Sequence, residues 1–414
     1  MITWRIGTVL STGKRWRGAT ELTVTLDRPL TETPGDTPVH EVRALAYTHL
    51  VGDPEPGDAL LVNVSALARG LGTGGYALVV GPASRLGEPL TDLPADPPPG
   101  PGHLVKARYT PLQTLVLGVD EQESPHHDTL RDADTLDGMP VVTADLHSAL
   151  PAVIAGTRHA AALAGQPPPR IAYVMTDGGA LPAAFSRTVA ALREAQWLDT
   201  CITAGQAYGG DLESVTVHTG LLAAHHVAHA DIAVVVQGPG NLGTGTRWGY
   251  SGVAAGEAVN ATAALGGHPV ASLRVSGADP RPRHRGISHH SLTAYARVAL
   301  AAADVPVPDP APGVEAMPGW GGDLTERVRE QAATLAGRHR LIDVAADDAL
   351  VAVLRTSPAG LRTMGRGLDE DPASFVAAAV AGIHAQRLVT GPATGPVDGP
   401  ATRPGTPPGA RPAA

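Results

Sequence analysis

Six times between Leu115 and Asp279 a short β-prone apolar run gives way at once to a loop of Gly, Asp, His or hydroxyl residues. The runs are Leu115 to Val119, Pro140 to Ala144, Ile171 to Met175, Cys201 to Ala204, Ile232 to Val236 and Val270 to Val275. Helix-prone stretches follow near Leu150 to Leu163, Ala183 to Ala195, Glu213 to Ala228, Ala254 to Leu265 and Leu292 to Ala301. A strand–loop–helix rhythm buries its strands in a mostly parallel sheet with helices on both faces, so the fold class expected is α/β. In such sheets ligands bind beyond the carboxyl ends of the strands. The polar residues here follow strands rather than precede them, which is where a site belongs.

The rhythm holds only from residue 103 onward. Residues 1–81 carry five short β-prone runs separated by turn material such as Pro54-Glu55-Pro56-Gly57-Asp58, the spacing of a small all-β, barrel-like domain. Residues 82–102 are Pro- and Gly-rich and read as a linker. The α/β domain spans 103–387, with a Pro/Gly-rich break expected from Asp304 to Gly322, a further helix from about Asp323 to Arg338 and a strand at Leu341 to Val344. Residues 388–414 collapse into Gly, Pro, Thr and Ala, a composition that reads as a disordered tail.

Composition excludes several roles. A net charge of −9 argues against a nucleic-acid partner, which needs clustered positive charge. No apolar run approaches the roughly 20 residues of a membrane span. The first residues lack the layout of a signal peptide, and a single cysteine, Cys201, fits a reducing compartment, so a cytoplasmic protein is expected. Cys201 lies inside a strand pattern and reads as packing.

Of 17 histidines, 13 fall between His103 and His290. The loop histidines carry the interest. His126 and His127 lie beside Asp120 and Glu123, and His289 closes the last loop; these five are the candidate metal ligands, for mixed imidazole and carboxylate donors suit Zn²⁺, Mn²⁺ or Fe²⁺. Without a metal, Asp145, His147, Asp177, Asp211, Asp279, His284 and His290 are candidates for acid–base work. No spaced motif such as HExxH decides between the two. After the run Ile232 to Val236 comes a loop whose Gly238, Gly240, Gly243, Thr244 and Thr246 suit close backbone approach to an anion. It is neither a Walker A loop nor a dinucleotide fingerprint. Arg247, Arg281, Arg283 and Arg285 extend that reading.

Long ordered segments carry a resemblance: GHLVKARYTPLQTLVLGVDEQESPHHDTL, DGMPVVTADLHSALPAVIAG, YVMTDGGALP, GPGNLGTGTRWGYSG, HRGISHHSLTAY, RGLGTGGYALVV and TMGRGLDED. Over about residues 1–387 the chain resembles the bacterial family catalogued as domain of unknown function 3866. That resemblance implies no activity, cofactor or catalytic residue. The residues themselves lead to an enzyme of hydrolysis or proton transfer acting on a small polar, anionic metabolite, with or without a divalent metal. The rival is a non-catalytic metabolite sensor or scaffold using the same pocket, and a homo-oligomer stays open. Asp369-Glu370-Asp371 reads either as an acidic helix start or as a late contributor to the site.

Overall fold

A computed structural model describes residues 3–30, 38–64, 67–69, 75–83, 101–108 and 114–391. Most of the expected linker and all but the start of the expected tail lie outside the described residues. Strands β1 (Trp4–Trp16), β2 (Ala19–Leu30), β3 (Val39–Ala46), β4 (Ala59–Asn63) and β5 (Ala77–Pro82) close into a barrel in the order β1-β2-β3-β5-β4. Only β3 and β5 pair in parallel. Alternate residues point inward, so Leu22, Val24 and Leu26 of β2 meet Val9, Val42, Leu60 and Val62 in the barrel core. Short helix α1 (Thr48–Val51) follows β3. The barrel is tied to the rest by Trp16, whose Nε1 donates to Ala184 O at 2.6 Å, and by the ion pairs Arg17–Asp211 and Arg187–Glu21 at 2.5 and 3.3 Å.

Beyond a small hairpin, β6 (Leu104–Lys106) with β7 (Thr114–Val116), and one helical turn, α2 (His127–Leu130), the main sheet begins. Its strands are β8 (Pro140–Thr143), β9 (Ile171–Thr176), β10 (Thr200–Thr203), β11 (Leu212–Glu213), β12 (Ile232–Gln237) and β13 (His268–Ala271). After a short hairpin of β14 (Val275–Ser276) and β15 (Gly286–Ile287) come β16 (Asp304–Pro310) and β17 (Arg340–Ala346). All eight main strands run parallel, in the order β11-β10-β9-β12-β8-β13-β16-β17. Every residue of β8, β9 and β12 is buried, as strands covered on both faces require. The run Leu115 to Val119, expected as a sheet strand, pairs with β6 in the small hairpin and reaches the main sheet through a parallel bridge from Gly118 to Glu213 of β11.

Helices α3 (Leu150–Leu163) and α4 (Arg187–Glu194) carry the chain from β8 to β9 and on to β10. Helices α5 (Val217–His226) and α6 (Ala254–Ala264) return it through β12 to β13. Because such crossovers are right-handed, the two directions of travel put the two helix pairs on opposite faces. The strand β8 leads one way and its neighbour β12 the other, so the sheet has its switch point between them.

The remaining helices are α7 (His289–Thr293), which continues as a π-helical turn at Ala294–Val298, α8 (Pro312–Glu315), α9 (Leu324–Ala333), α10 (Asp348–Arg355) and α11 (Pro372–Thr390). A last hairpin, β18 (Arg362–Thr363) with β19 (Arg366–Gly367), precedes α11. Since α11 reaches Thr390, residues 388–390 are helical where the composition had suggested a tail.

Two features depart from a reading by propensity. The expected break at Asp304 to Gly322 opens with β16, a sheet strand that contains Pro306, Pro308 and Pro310. Successive N–H groups of a strand point to opposite edges, and β16 meets β13 only at Asp304 while pairing with β17 along its length. The three prolines therefore lack their N–H on the side that has almost no ladder to make. The second feature is the crossing of α3 and α11, which is close enough to need glycine. A Cβ on Gly156 would lie 2.0 Å from Ala379 O, and one on Gly382 2.0 Å from Val153 O. Glycine to alanine inside a helix ordinarily gains up to about 1 kcal/mol. Here Gly156→Ala is expected to lose roughly 1–3 kcal/mol through forced backbone movement, read as a lower urea midpoint; an unchanged midpoint would refute so tight a crossing.

Candidate anion-binding cleft

At the carboxyl ends of β8, β12 and β13 the loops part and leave a cleft of about 460 Å³. Ligands are expected at this place in a doubly wound sheet, because loops leaving in opposite directions open a crevice there. One wall is the loop after β12. A Cβ on Gly238 would strike Ala180 O and Met175 Cε at 2.5 Å, so this glycine lets the loop pack on its neighbour, while Gly240 and Gly245 have φ of 92° and 80°. Gln237 joins the loops: its Nε2 donates to Asp145 O at 3.1 Å and to Asn241 Oδ1 at 2.8 Å.

Charge defines the site. Arg274, Arg281, Arg283 and Arg362 line the cleft, and among its described lining residues there is no Asp or Glu. Arg274 is held inside, 4.0 Å from Asp145 Oδ2 and donating to His290 Nδ1 at 3.2 Å. Arg281 is held by a two-pronged bond to Asp279, whose carboxyl the guanidinium keeps well below the usual range. Neither Arg283 nor Arg362 has a carboxylate partner among the described residues. Arg362 is presented by the β18–β19 hairpin, whose turn places Met364 and Gly365 at φ 48° and 84°, a conformation that suits glycine at the second position. Arg366 anchors that hairpin from below, reaching Asp279 at 3.2 Å and Asp371 at 3.0 Å. Asp371 also accepts from Ser276 Oγ and Gly277 N, so the acidic helix start secures the cleft from outside it.

Behind this wall His284, His289 and His290 cluster, one ring nitrogen of each lying within 4.8 Å of one from each of the others. Ser288 Oγ meets His284 Nδ1 at 2.8 Å, and Tyr250 stacks flat on His290 at 3.9 Å while its hydroxyl donates to His290 O. Burial, with Arg274 adding to it, lowers His284 to about 4 and His290 to about 3, so both rings are neutral at pH 7. Among the described residues, His289 Nε2, Asp145 Oδ2 and Gln237 Oε1 are buried with no hydrogen-bond partner. Buried polar atoms normally find partners, so three orphans around one cleft are a feature in need of a cause.

Of the residues singled out by sequence, His147, Gly238, Gly240, Gly243, Arg281, Arg283, His284 and His290 line the cleft, and His289 completes the cluster. Asp145 lies beneath it against a cavity of about 20 Å³, where burial raises its carboxyl. His147 is spoken for at both ring nitrogens, by Tyr173 Oη at 3.2 Å and Ser186 Oγ at 2.8 Å, and burial lowers it to about 4. Thr244 and Thr246 bond to each other and to Gly249, closing their own loop. Elsewhere, Asp177 accepts from Gln206 N, and Asp211 pairs with Arg17 and Arg193. Asp120, Glu123, His126 and His127 do not line the cleft; Glu123 caps Gly102 N and His127 Nδ1 meets Asp120 O. Arg285 pairs with Asp323 instead. Residue-by-residue reading missed Arg274, Arg362, Asn241 and Tyr250. A second recess, about 540 Å³ at the barrel seam, is bordered by Arg17, Arg193 and Asp211, whose charges are already paired with one another.

Among the described residues no helix is long and apolar enough to cross a membrane. A family model described as "Protein of unknown function (DUF3866)" matches residues 43–382. No curated protein and no solved structure matches the chain.

Proposed function

The chain belongs to the DUF3866 family, and we propose that it is an enzyme that binds a small anionic metabolite in the switch-point cleft and hydrolyses it or moves a proton on it. One observation carries this reading: four arginines converge on a cleft with no acidic residue among its described lining residues. Arg281 is fixed by Asp279 and Arg274 is held by His290 with Asp145 4.0 Å away, which gives a preorganised floor, while Arg283 and Arg362, with no carboxylate partner among the described residues, can close on a ligand. The imidazoles of His284 and His290 bring nitrogen donors to the same wall. The overall charge of −9 supports a small-molecule partner rather than a nucleic acid. The single cysteine, Cys201, supports a reducing, cytoplasmic setting, since one thiol leaves no disulfide framework.

Calorimetric titration with inorganic phosphate, succinate and neutral glycerol tests the binding. The anions are expected to bind and glycerol not. Arg283→Ala and Arg362→Ala should each weaken the anions about tenfold (~1.4 kcal/mol), the low end for a charged hydrogen bond because both side chains stay partly solvated. Arg355→Ala, whose partner Asp369 lies away from the cleft, should leave affinity unchanged. Equal binding by all variants would defeat the reading. Phosphorus and proton NMR of a panel of phosphate esters and carboxylates then separates turnover from steady binding without product, the outcome of a sensor.

A further inference from the structure

We propose that His284, His289 and His290 hold one divalent transition metal, and that binding it turns Arg274 away from His290 and toward the ligand in the cleft. This rests on the anion reading of the same cleft and adds the group that would act there. Three imidazoles with a fourth position open are the donor set of a catalytic zinc site rather than a closed structural one. The orphaned His289 Nε2 is a donor with nothing yet to bind. For nitrogens 4.8 Å apart, an equidistant point lies about 2.8 Å from each, against about 2.0–2.1 Å for a zinc–imidazole bond, so each ring needs to close by under about 1 Å. Ser288 Oγ, on His284 Nδ1, is the outer partner that fixes the orientation of a ligating ring.

Arg274 is the obstacle and therefore the key. Its guanidinium donates to His290 Nδ1, which puts the proton of neutral His290 on Nε2. Ligation through Nδ1 displaces Arg274 directly. Ligation through Nε2 needs the proton on Nδ1, where it would face an N–H. Either way the bond breaks, and Arg274, 4.0 Å from Asp145 and lining the cleft, is free to meet an anion. That anion in turn offsets the repulsion between the dication and the guanidinium groups of Arg281 and Arg283.

Cobalt(II) titration of the full chain, followed by its visible absorption and checked by elemental analysis, tests this with and without inorganic phosphate. Expected are one ion per chain, tighter binding with phosphate present, and a loss of more than about 100-fold in His289→Ala, beyond the 10- to 100-fold that an outer partner costs. Arg274→Met should bind cobalt about tenfold tighter, since a competing hydrogen bond is gone, and His126→Ala should match the wild type. Undiminished binding in His289→Ala, or no binding with phosphate present, overturns the proposal. If Arg274→Met does not fold, by circular dichroism, His284→Ala decides in its place. Phosphate binding to metal-free protein that still depends on Arg283 and Arg362 would leave the cleft reading standing while the metal fails.

Discussion

Asp304→Ala should lower the stability of the chain by roughly 3–5 kcal/mol, the cost of breaking a buried ionic cluster by removing one partner. Asp304 is fully buried at the start of β16. It accepts from His268 Nε2 at 2.8 Å, from His384 Nε2 at 2.6 Å and from both prongs of Arg340 at 2.7 and 2.6 Å. These bonds join β13, β16, β17 and α11 at the end of the sheet opposite the cleft, where a cluster serves stability rather than binding. His268, Asp304 and His384 also lie as close together as a set of metal ligands, but their atoms already satisfy one another. Burial alone would raise the Asp304 carboxyl; the hydrogen bonds from His268, His384 and Arg340 outweigh it and hold the group below its ordinary 3.8. A depressed acid stabilises fully above the unfolded value and loses that contribution as the pH falls toward the folded one. Urea midpoints should therefore drop below about pH 4 in the wild type, and drop less steeply in Asp304→Ala. A midpoint unchanged by the substitution at pH 7 would show that the cluster does not hold the sheet together.

Replacing Lys106 by methionine carries the second large effect, about 3 kcal/mol or more lost in Lys106→Met. Lys106, at the end of β6, is completely buried, and its ammonium donates to Gly205 O, Ala207 O and Ser214 O at 2.7, 2.9 and 2.9 Å, with Glu213 at 3.5 Å. Those carbonyls belong to the loops after β10 and β11, so one side chain from outside the sheet gathers two of its carboxyl-end loops. Methionine fills the volume but strands two buried acceptors and one half-buried one, Gly205 O, at about 1–3 kcal/mol each, partly recovered by relaxation. Thermal unfolding reads the loss, and hydrogen exchange should show the residue 205–214 loops opening first. A Lys106→Met chain as stable as the wild type would mean that those carbonyls are reached by water.

How far the sequence reveals this molecule depends on how local the determining forces are. Strand–loop–helix alternation is local, and Leu150 to Leu163 forms α3 over that same range. The barrel strands too are marked by their own alternation. What periodicity cannot show is which loops meet. His126 and His127 sit among acids in sequence as His289 and His290 sit among arginines, yet only the second pair lies at the switch point, because strand order is set by long-range pairing. Arg274 and Arg362 carry no local signal: one is a single cation within the expected run Val270 to Val275, the other enters on a hairpin far along the chain. Pro306, Pro308 and Pro310 mislead for the same reason, since only the partner's position shows that their missing N–H groups cost nothing.

Whether the switch-point cleft takes an anion is decided by anomalous diffraction from crystals soaked in selenate, an anion that reports its own position. Selenium is expected in the cleft, within hydrogen-bond reach of Arg283 and Arg362. Selenium confined to the barrel seam beside Arg15 and Arg17, at full occupancy there and with the cleft empty, would contradict an anion site at the switch point.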